Sequence, residues 1–187
     1  MKSIIFVTGN DEKIRDARFA LGEFNITLTN TSLEIDEIQH HDPTYIATAK
    51  AVAAFDQIKK PLVINDSSWS IPALGGFPGG YMKDITAWLS TDDFLVLMKE
   101  KKDRRILLHE VVVYIDQAGH HIFEAIREGQ FTDTPAGNSS PSFARIVKME
   151  GDSITISQIF DKEGERDLDP KRYVHWNSFA DWYIKQK

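Results

Sequence analysis

The 187-residue chain contains no cysteine, which excludes disulfide bonds and thiolate metal sites. No apolar run approaches the roughly 20 residues that a membrane-spanning helix needs. The N-terminus also lacks the basic region and apolar stretch of a secretory signal. From these absences we expect a cytoplasmic protein that has no membrane partner.

Positive charge is also scarce. The chain has 22 Lys and Arg residues against 28 Asp and Glu residues, which gives a formal net charge of −6. A general nucleic-acid surface needs basic patches that neutralise phosphates, so this balance argues against a nucleic-acid partner. A small anionic ligand that is held by a few well-placed cations is still compatible with the charge.

The first stretch that indicates chemistry is a short apolar strand that ends in Thr8, Gly9 and Asn10. A helical pattern of apolar residues follows directly. Free backbone N–H groups and the positive end of the helix dipole attract anions there, and glycine allows a close approach. Lys13, one turn into the helix, adds a positive charge. The pattern is not a Walker P-loop. It favours either an anion site or an ordinary structural corner with a surface lysine.

A second short apolar strand, in residues 61–68, also ends in polar residues, among them the carboxylate of Asp66. In open α/β sheets, ligands collect at the carboxyl ends of strands. Glu37 lies in the segment that leads to the helix before this strand. Two carboxylates that face a phosphate-binding turn describe a magnesium site, because Mg²⁺ usually takes one or two carboxylates together with substrate phosphates. A solvated acidic segment is the alternative interpretation for Glu37.

Three further helices are predicted from capping residues and helical spacing. Asp42 and Pro43 predict a helix to about residue 58, with Lys50 on its flank. Its predicted inward residues are Ile46, Ala49, Val52 and Ala53. A second helix is predicted from residue 91 to about 101, and a third from residue 169 onward. The predicted apolar face of the third consists of Tyr173, Trp176, Ala180 and Tyr183.

Two β-hairpins are predicted in the second half of the chain. Residues 106–116 and 121–131 form the first, and residues 142–149 and 153–160 form the second. Residues 74–81, with four glycines and one proline, indicate a loop. These elements predict a mixed α/β (α+β) protein. Its length allows one domain over residues 1–187, built as two tightly joined lobes.

Taken in order, these motifs resemble the inosine triphosphatase (Ham1-type) family of pyrophosphatases that act on non-standard purine nucleoside triphosphates. The resemblance is dense over residues 1–82 and thin after about residue 132. It is carried by Thr8-Gly9-Asn10, Lys13, Glu37-Ile38-Gln39, Lys50, Asp66-Ser67 and Leu74-Gly75-Gly76-Phe77-Pro78-Gly79.

The resemblance implies a two-lobed Ham1/Maf-like fold, with a long bent mixed sheet, flanking helices and a cleft between the lobes. It also implies a homodimer and a Mg²⁺-dependent hydrolase that converts a nucleoside triphosphate to the monophosphate and pyrophosphate. By position, Glu37 and Asp66 would hold the metal, and Asp66 would help to activate water. Asp66, Lys13 and Glu37 would then be the catalytic residues. The implied substrate-binding residues are Thr8, Gly9, Asn10, Lys13, Lys50, Ser67, Phe143 and His175.

The sequence departs from the family pattern in its base-reading segments. Residues 141–145 replace the family's Phe-Gly-(Trp/Tyr)-Asp-Pro motif, so that the aromatic Phe143 remains and Ala144 stands where the acid belongs. Near the C-terminus, the family's Ser-His-Arg keeps only His175. Losing hydrogen-bonding groups that read a base costs about 10⁴-fold or more in discrimination. We therefore predict altered or relaxed base specificity. Core packing is the alternative role for Phe143, His175 and Trp176.

A further departure is Asn65, where the family usually has a second acid. The missing charge predicts weaker Mg²⁺ binding or slower turnover. Three hypotheses follow: an active pyrophosphatase with changed base preference, a nucleotide-binding relative with weak or no activity, and a hydrolase of an unusual nucleotide.

Overall fold

The computed structural model describes residues 2–139, 141–162 and 169–186. Within these residues the strands are β1 (Lys2–Val7), β2 (Ile26–Thr31), β3 (Leu62–Ser70), β4 (Pro78–Gly79), β5 (Arg105–Asp116), β6 (Gly119–Phe131) and β7 (Val147–Met149). The α-helices are α1 (Asp11–Gly22), α2 (Pro43–Ile58), α3 (Met82–Trp88), α4 (Thr91–Met98), α5 (Ile156–Asp161) and α6 (Val174–Tyr183). Short 3₁₀ turns occupy Pro72–Leu74, Ser142–Ile146 and Pro170–Tyr173.

The strands form one mixed sheet in the order β2-β1-β3-β5-β6-β7, and β4 pairs with β3. Strand β1 is parallel to both β2 and β3, whereas the β3–β4 and β6–β7 pairs are antiparallel. Strands β5 and β6 are neighbours that a two-residue turn connects, as the first predicted hairpin requires. The predicted mixed α/β class is confirmed.

The chain divides into two compact units. Unit 1 contains residues 1–67, 110–125 and 168–187, and unit 2 contains residues 68–109 and 126–167. The single domain that we expect over residues 1–187 stays a prediction. No helix within the described residues is both long enough and apolar enough to span a bilayer.

In unit 1, strands β1, β3 and β5 are buried on both faces. Phe6, Val63 and Val112 pack with α1 and α6 on one face, in a cluster that also contains Trp176 and Phe179. The alternate residues of the same strands pack with α2 on the other face: Val7, Leu62, Ile64, Val111 and Val113. Because side chains alternate along a strand, continuous apolar runs are the pattern that two-face burial requires.

Helix α2 begins and ends where the sequence predicts. Asp42 caps it by accepting a hydrogen bond from the backbone N–H of Thr44, and Pro43 occupies the first turn. The predicted inward face is wrong in phase. The buried residues are Ile46, Ala47, Ala51 and Ala54, and Val52 is 43% exposed. The alanines of this helix lie on several of its sides, so the spacing of apolar residues alone does not select one buried face.

The C-terminal helix keeps its predicted apolar face with one adjustment. A 3₁₀ turn precedes α6, and Tyr173, Trp176 and Ala180 are buried together with Phe179. Tyr183 is half-buried and packs against the edge of the same cluster.

Unit 2 differs most from the sequence-based expectation. The predicted hairpin over 142–160 is wrong, because residues 142–146 form a 3₁₀ turn, β7 pairs with β6, and α5 occupies the second predicted strand. Thr155 and Gln158 form a capping box that starts this helix. Helix α3 begins directly after the predicted loop at 74–81, and it is not among the helices predicted from the sequence. Helix α4 ends at Met98 rather than near residue 101.

Candidate active site

The turn after β1 is built by local hydrogen bonds. Asn10 caps α1, since its Oδ1 accepts from the Lys13 backbone N–H at 3.1 Å. The Asn10 N–H in turn donates to Thr8 Oγ1 at 3.1 Å. A side chain at Gly9 would place its Cβ 3.1 Å from Ser32 Oγ, so the turn has little room for a larger residue. The first N–H groups of a helix have no partner within the helix, and the turn presents them at the end of β1.

Lys13 connects this turn to the end of β3. Its Nζ donates to the Asn65 carbonyl oxygen at 3.0 Å and lies 3.5 Å from Asp66 Oδ1. The same Asp66 oxygen accepts the Ser67 backbone N–H at 2.9 Å. The structure therefore brings the two polar strand ends together within unit 1.

Lys50 and Glu37 form a second ion pair. Lys50 projects from α2, and Glu37 lies in the irregular segment before that helix. The Glu37 side chain is 48% exposed and the Lys50 side chain is 22% exposed. Glu37 is thus accessible to solvent, as the interpretation of a solvated acidic segment requires. It is also paired with Lys50, which the family resemblance assigns to substrate binding.

The pKa of Lys13 shows that these charges share one environment. Burial lowers this pKa from its ordinary value, since it disfavours the charged form. The negative charge of Asp66 opposes that effect, the positive charge of Lys50 lowers the pKa further, and Glu37 raises it. The charges of Asp66, Lys50 and Glu37 thus all act on Lys13 within unit 1.

The donor set fits Mg²⁺ that arrives with a triphosphate. Within the described residues, no group of three or more His, Cys, Asp or Glu side chains could hold a metal alone. Asp66 and Glu37 supply two carboxylates, and Mg²⁺ commonly completes its shell with substrate phosphates and water. Both carboxylates are paired with lysines here. A metal and a phosphate chain would exchange those partners, with the metal taking the carboxylates and the phosphates taking the lysines.

The residues that the resemblance assigns to the base are buried. Phe143, in unit 2, is 3% exposed and packs against the rings of Trp69 and Phe94 at centroid distances of 5.0 and 6.3 Å. Its neighbour Ala144 is fully buried. The aromatic side chain thus serves the core of unit 2 in this structure, and its contact with a base stays a prediction.

In unit 1, His175 is 1% exposed, and its Nδ1 lies 3.7 Å from Glu110 Oε2. Trp176 packs edge-to-face on Phe6 at 5.2 Å, which is the core role that its helix face favours. Sequence reasoning missed Glu110. Its one signal is an acid in the middle of the mainly apolar strand β5, and the histidine partner is distant in sequence.

Known proteins are similar to this chain in sequence and in fold. A dITP/XTP pyrophosphatase of Methanosarcina mazei is 28% identical over 185 residues, which cover 98% of each chain. An inosine triphosphate pyrophosphatase of Candida glabrata is 26% identical over 163 residues, which cover 83% of this chain and 85% of the relative.

Two solved structures match over the full length of both chains. A HAM1 protein from Coxiella burnetii has a TM-score of 0.80, and the Ham1 protein of Staphylococcus aureus has a TM-score of 0.76, each at 18% identity. The sequence profile of the Ham1 family matches residues 4–166. This chain belongs to the Ham1 family.

Proposed function

We propose that the chain is a Mg²⁺-dependent nucleoside triphosphate pyrophosphatase, which hydrolyses a non-standard NTP or dNTP to the monophosphate and pyrophosphate. The observation that carries the proposal is the pair of lysine–carboxylate contacts within unit 1, Lys13 with Asp66 and Lys50 with Glu37. Full-length relatives that are named dITP/XTP pyrophosphatases support the same reaction class.

The triphosphate binds at the turn after β1. Backbone N–H groups of the turn and the α1 dipole meet its negative charge, and Thr8, Gly9 and Asn10 shape the contact. Lys13 and Lys50 add two positive charges from different helices. Ser67, whose N–H already orients the Asp66 carboxylate, completes the substrate-binding set.

Glu37 and Asp66 would hold the metal ion. When bound, Mg²⁺ neutralises charge on the reacting phosphate and lowers the pKa of a coordinated water. The Asp66 carboxylate accepts the proton of the attacking water, because its position at the end of β3 faces the phosphate turn through Lys13. Lys13 holds the departing pyrophosphate in place as the negative charge of this leaving group increases.

The base preference is altered or relaxed in this proposal, since Phe143 and His175 are buried and the base-reading acid is absent. The second candidate function is a nucleotide-binding relative with weak or no turnover. Asn65 favours that alternative, because the family usually has a second acid at this position. We also propose that the enzyme acts as a homodimer in the cytoplasm.

The test is pyrophosphate release with Mg²⁺ across a panel of ribo- and deoxynucleoside triphosphates, including inosine, xanthosine and modified pyrimidine forms. The Asp66→Asn protein is the blank. Asp56→Asn is the matched control, since Asp56 forms an exposed ion pair with Lys59 on the surface of α2. We expect turnover of at least one member by the wild-type and Asp56→Asn proteins and none by the blank. Tight binding of one member without any product would instead establish the binding-protein alternative.

A further inference from the structure

We infer that Asn65 is a positioning residue, whose amide anchors the end of β3 to β5 so that its own carbonyl oxygen holds the Lys13 ammonium. In this chain, residue 65 would then act through Lys13 and not as a metal ligand. The inference rests on the proposed function and goes beyond it. It predicts that an acid at this position lowers kcat/KM. The hypothesis that Asn65 weakens Mg²⁺ binding by removing a charge predicts that the same acid raises kcat/KM.

The Asn65 side chain is already committed to the sheet. It is 8% exposed, and its Nδ2 donates to the Val111 carbonyl oxygen of β5 at 3.2 Å. Because side chains alternate along a strand, Asn65 projects to the same face of β3 as Val63, and Asp66 projects to the opposite face. Residue 65 therefore projects to the sheet face that packs on α1 and α6, away from the face that Asp66 uses.

The backbone of Asn65 performs the second half of the role. Its carbonyl oxygen accepts a hydrogen bond from Lys13 Nζ at 3.0 Å, shorter than the 3.5 Å contact of the same ammonium with Asp66. A lysine ammonium has three N–H donors. Among the described residues, two of these donors are directed at Asn65 and Asp66. The third can donate to a phosphate oxygen of a bound nucleotide. The carbonyl thus sets the direction in which Lys13 presents its charge.

A carboxylate at position 65 cannot reproduce this arrangement. Ionised aspartate has no donor, so it would place an oxygen against the Val111 carbonyl oxygen in a nearly buried position. Glu110 lies beside Val111 on β5 and projects to the same sheet face as Asn65, together with His175 of α6. A second carboxylate there would be repelled by Glu110, and the end of β3 would shift with Lys13.

The first experiment compares Asn65→Asp with the wild-type protein, using dITP and a Mg²⁺ titration. A displaced Lys13 would lose a hydrogen bond to a charged phosphate, which is worth about tenfold or more, so kcat/KM should fall by about tenfold. The Mg²⁺ concentration at half-maximal rate should not decrease. Asn177→Asp is the matched control, because Asn177 also donates to a backbone carbonyl oxygen, that of Pro170, at a less buried position. A higher kcat/KM together with a lower Mg²⁺ requirement would overturn the inference.

The second experiment is a double-mutant cycle with Asn65→Ala and Lys13→Ala. If Asn65 acts through Lys13, its substitution should lower kcat/KM in the wild-type background and change it by less than about twofold in the Lys13→Ala background. Fully multiplicative losses would show that Asn65 affects only general packing. Neither alanine variant buries a new charge, so this cycle remains informative if Asn65→Asp does not fold.

The same cycle is read in the ligand-free protein from thermal unfolding midpoints. The two alanine substitutions should be non-additive, because Asn65→Ala displaces the carbonyl oxygen on which the Lys13 contact depends, and Lys13→Ala removes the ammonium from the same contact. This readout does not require turnover. If the wild-type protein releases no pyrophosphate, the proposed function fails, and additive changes in the midpoint would separately overturn the role of Asn65.

Discussion

Two regions that the family pattern assigns to the same ligand have opposite physical character. The phosphate end, in unit 1, consists of charged side chains that pair with one another and stay partly open to solvent. The 141–146 segment, in unit 2, consists mainly of apolar residues, and Phe143, Ala144 and Ile146 are buried there. The first region can exchange its partners for a ligand without unpacking, and the second cannot expose its side chains without losing core contacts.

This difference separates chemistry from stability along the chain. At the phosphate end, each charge is paired with a side chain that a metal or phosphates could replace, and Lys13 and Asp66 would keep their additional contacts with the backbone. In the 141–146 segment, each apolar side chain contributes burial. Substitutions in the first region should therefore reduce turnover more than stability, and substitutions in the second should do the reverse.

The largest effect is expected for Asp66→Asn. The amide keeps the shape of the side chain but accepts a proton poorly, so kcat should fall by about 10³-fold. The free energy of unfolding should change by no more than about 1 kcal/mol, since the lost ion pair with Lys13 is partly exposed. Steady-state kinetics and urea unfolding on the same preparation check both parts. A large loss of stability would show that this end of β3 is structural.

The reverse outcome is expected for Phe143→Ala. Removing a buried phenyl ring from between Trp69 and Phe94 leaves a cavity and should cost about 3–5 kcal/mol in the free energy of unfolding. Phe143→Leu, which fills more of the space, should cost less. At a temperature where both variants are folded, kcat/KM should change little for every nucleotide in the panel. A base-dependent loss of kcat/KM at unchanged stability would instead place Phe143 against the base.

The sequence predicts the two strand ends and the start of α1 well because their signals are local. An apolar strand, a polar turn and a capping residue are adjacent in the chain, and two such strand ends meet once the parallel sheet forms. The 142–160 segment shows the limit of this reasoning. Residues 153–157 alternate polar and apolar side chains as a strand does, yet the capping box of Thr155 and Gln158 starts a helix.

Other features depend on partners that are distant in sequence. Glu110 has no recognisable role until α6 packs against β5 and brings His175 to it. In the sequence, Asn65 is recognisable only as the loss of an acid, whereas in the structure its amide donates a hydrogen bond to strand β5. The apolar pattern of α2 predicts the wrong face because its alanines lie on both the buried and the exposed sides of the helix.

Alkaline pH should distinguish Lys13 from ordinary surface lysines. Burial lowers its pKa in the folded protein, so its positive charge is lost at a lower pH than that of an exposed lysine. As pH rises, kcat/KM should fall by about tenfold for each pH unit above that pKa. Lys13→Arg is the comparison, because arginine keeps its charge throughout. Profiles of the same shape for both proteins would contradict the assignment of this titration to Lys13.

The smallest effect is expected for Thr155→Ala, which alters unit 2 without altering charge. Thr155 Oγ1 accepts the Gln158 backbone N–H and donates to the Ala136 carbonyl oxygen at 2.8 Å, in a buried position. Losing this cap should lower the free energy of unfolding by about 1 kcal/mol. Thr155→Ser, which keeps the hydroxyl group, should retain most of it. Since the phosphate end belongs to unit 1, kcat/KM should be the same for both variants and the wild-type protein. A lower kcat/KM for Thr155→Ala alone would mean that the reaction depends on how α5 is held, and the separation of chemistry from stability would then not extend to this helix.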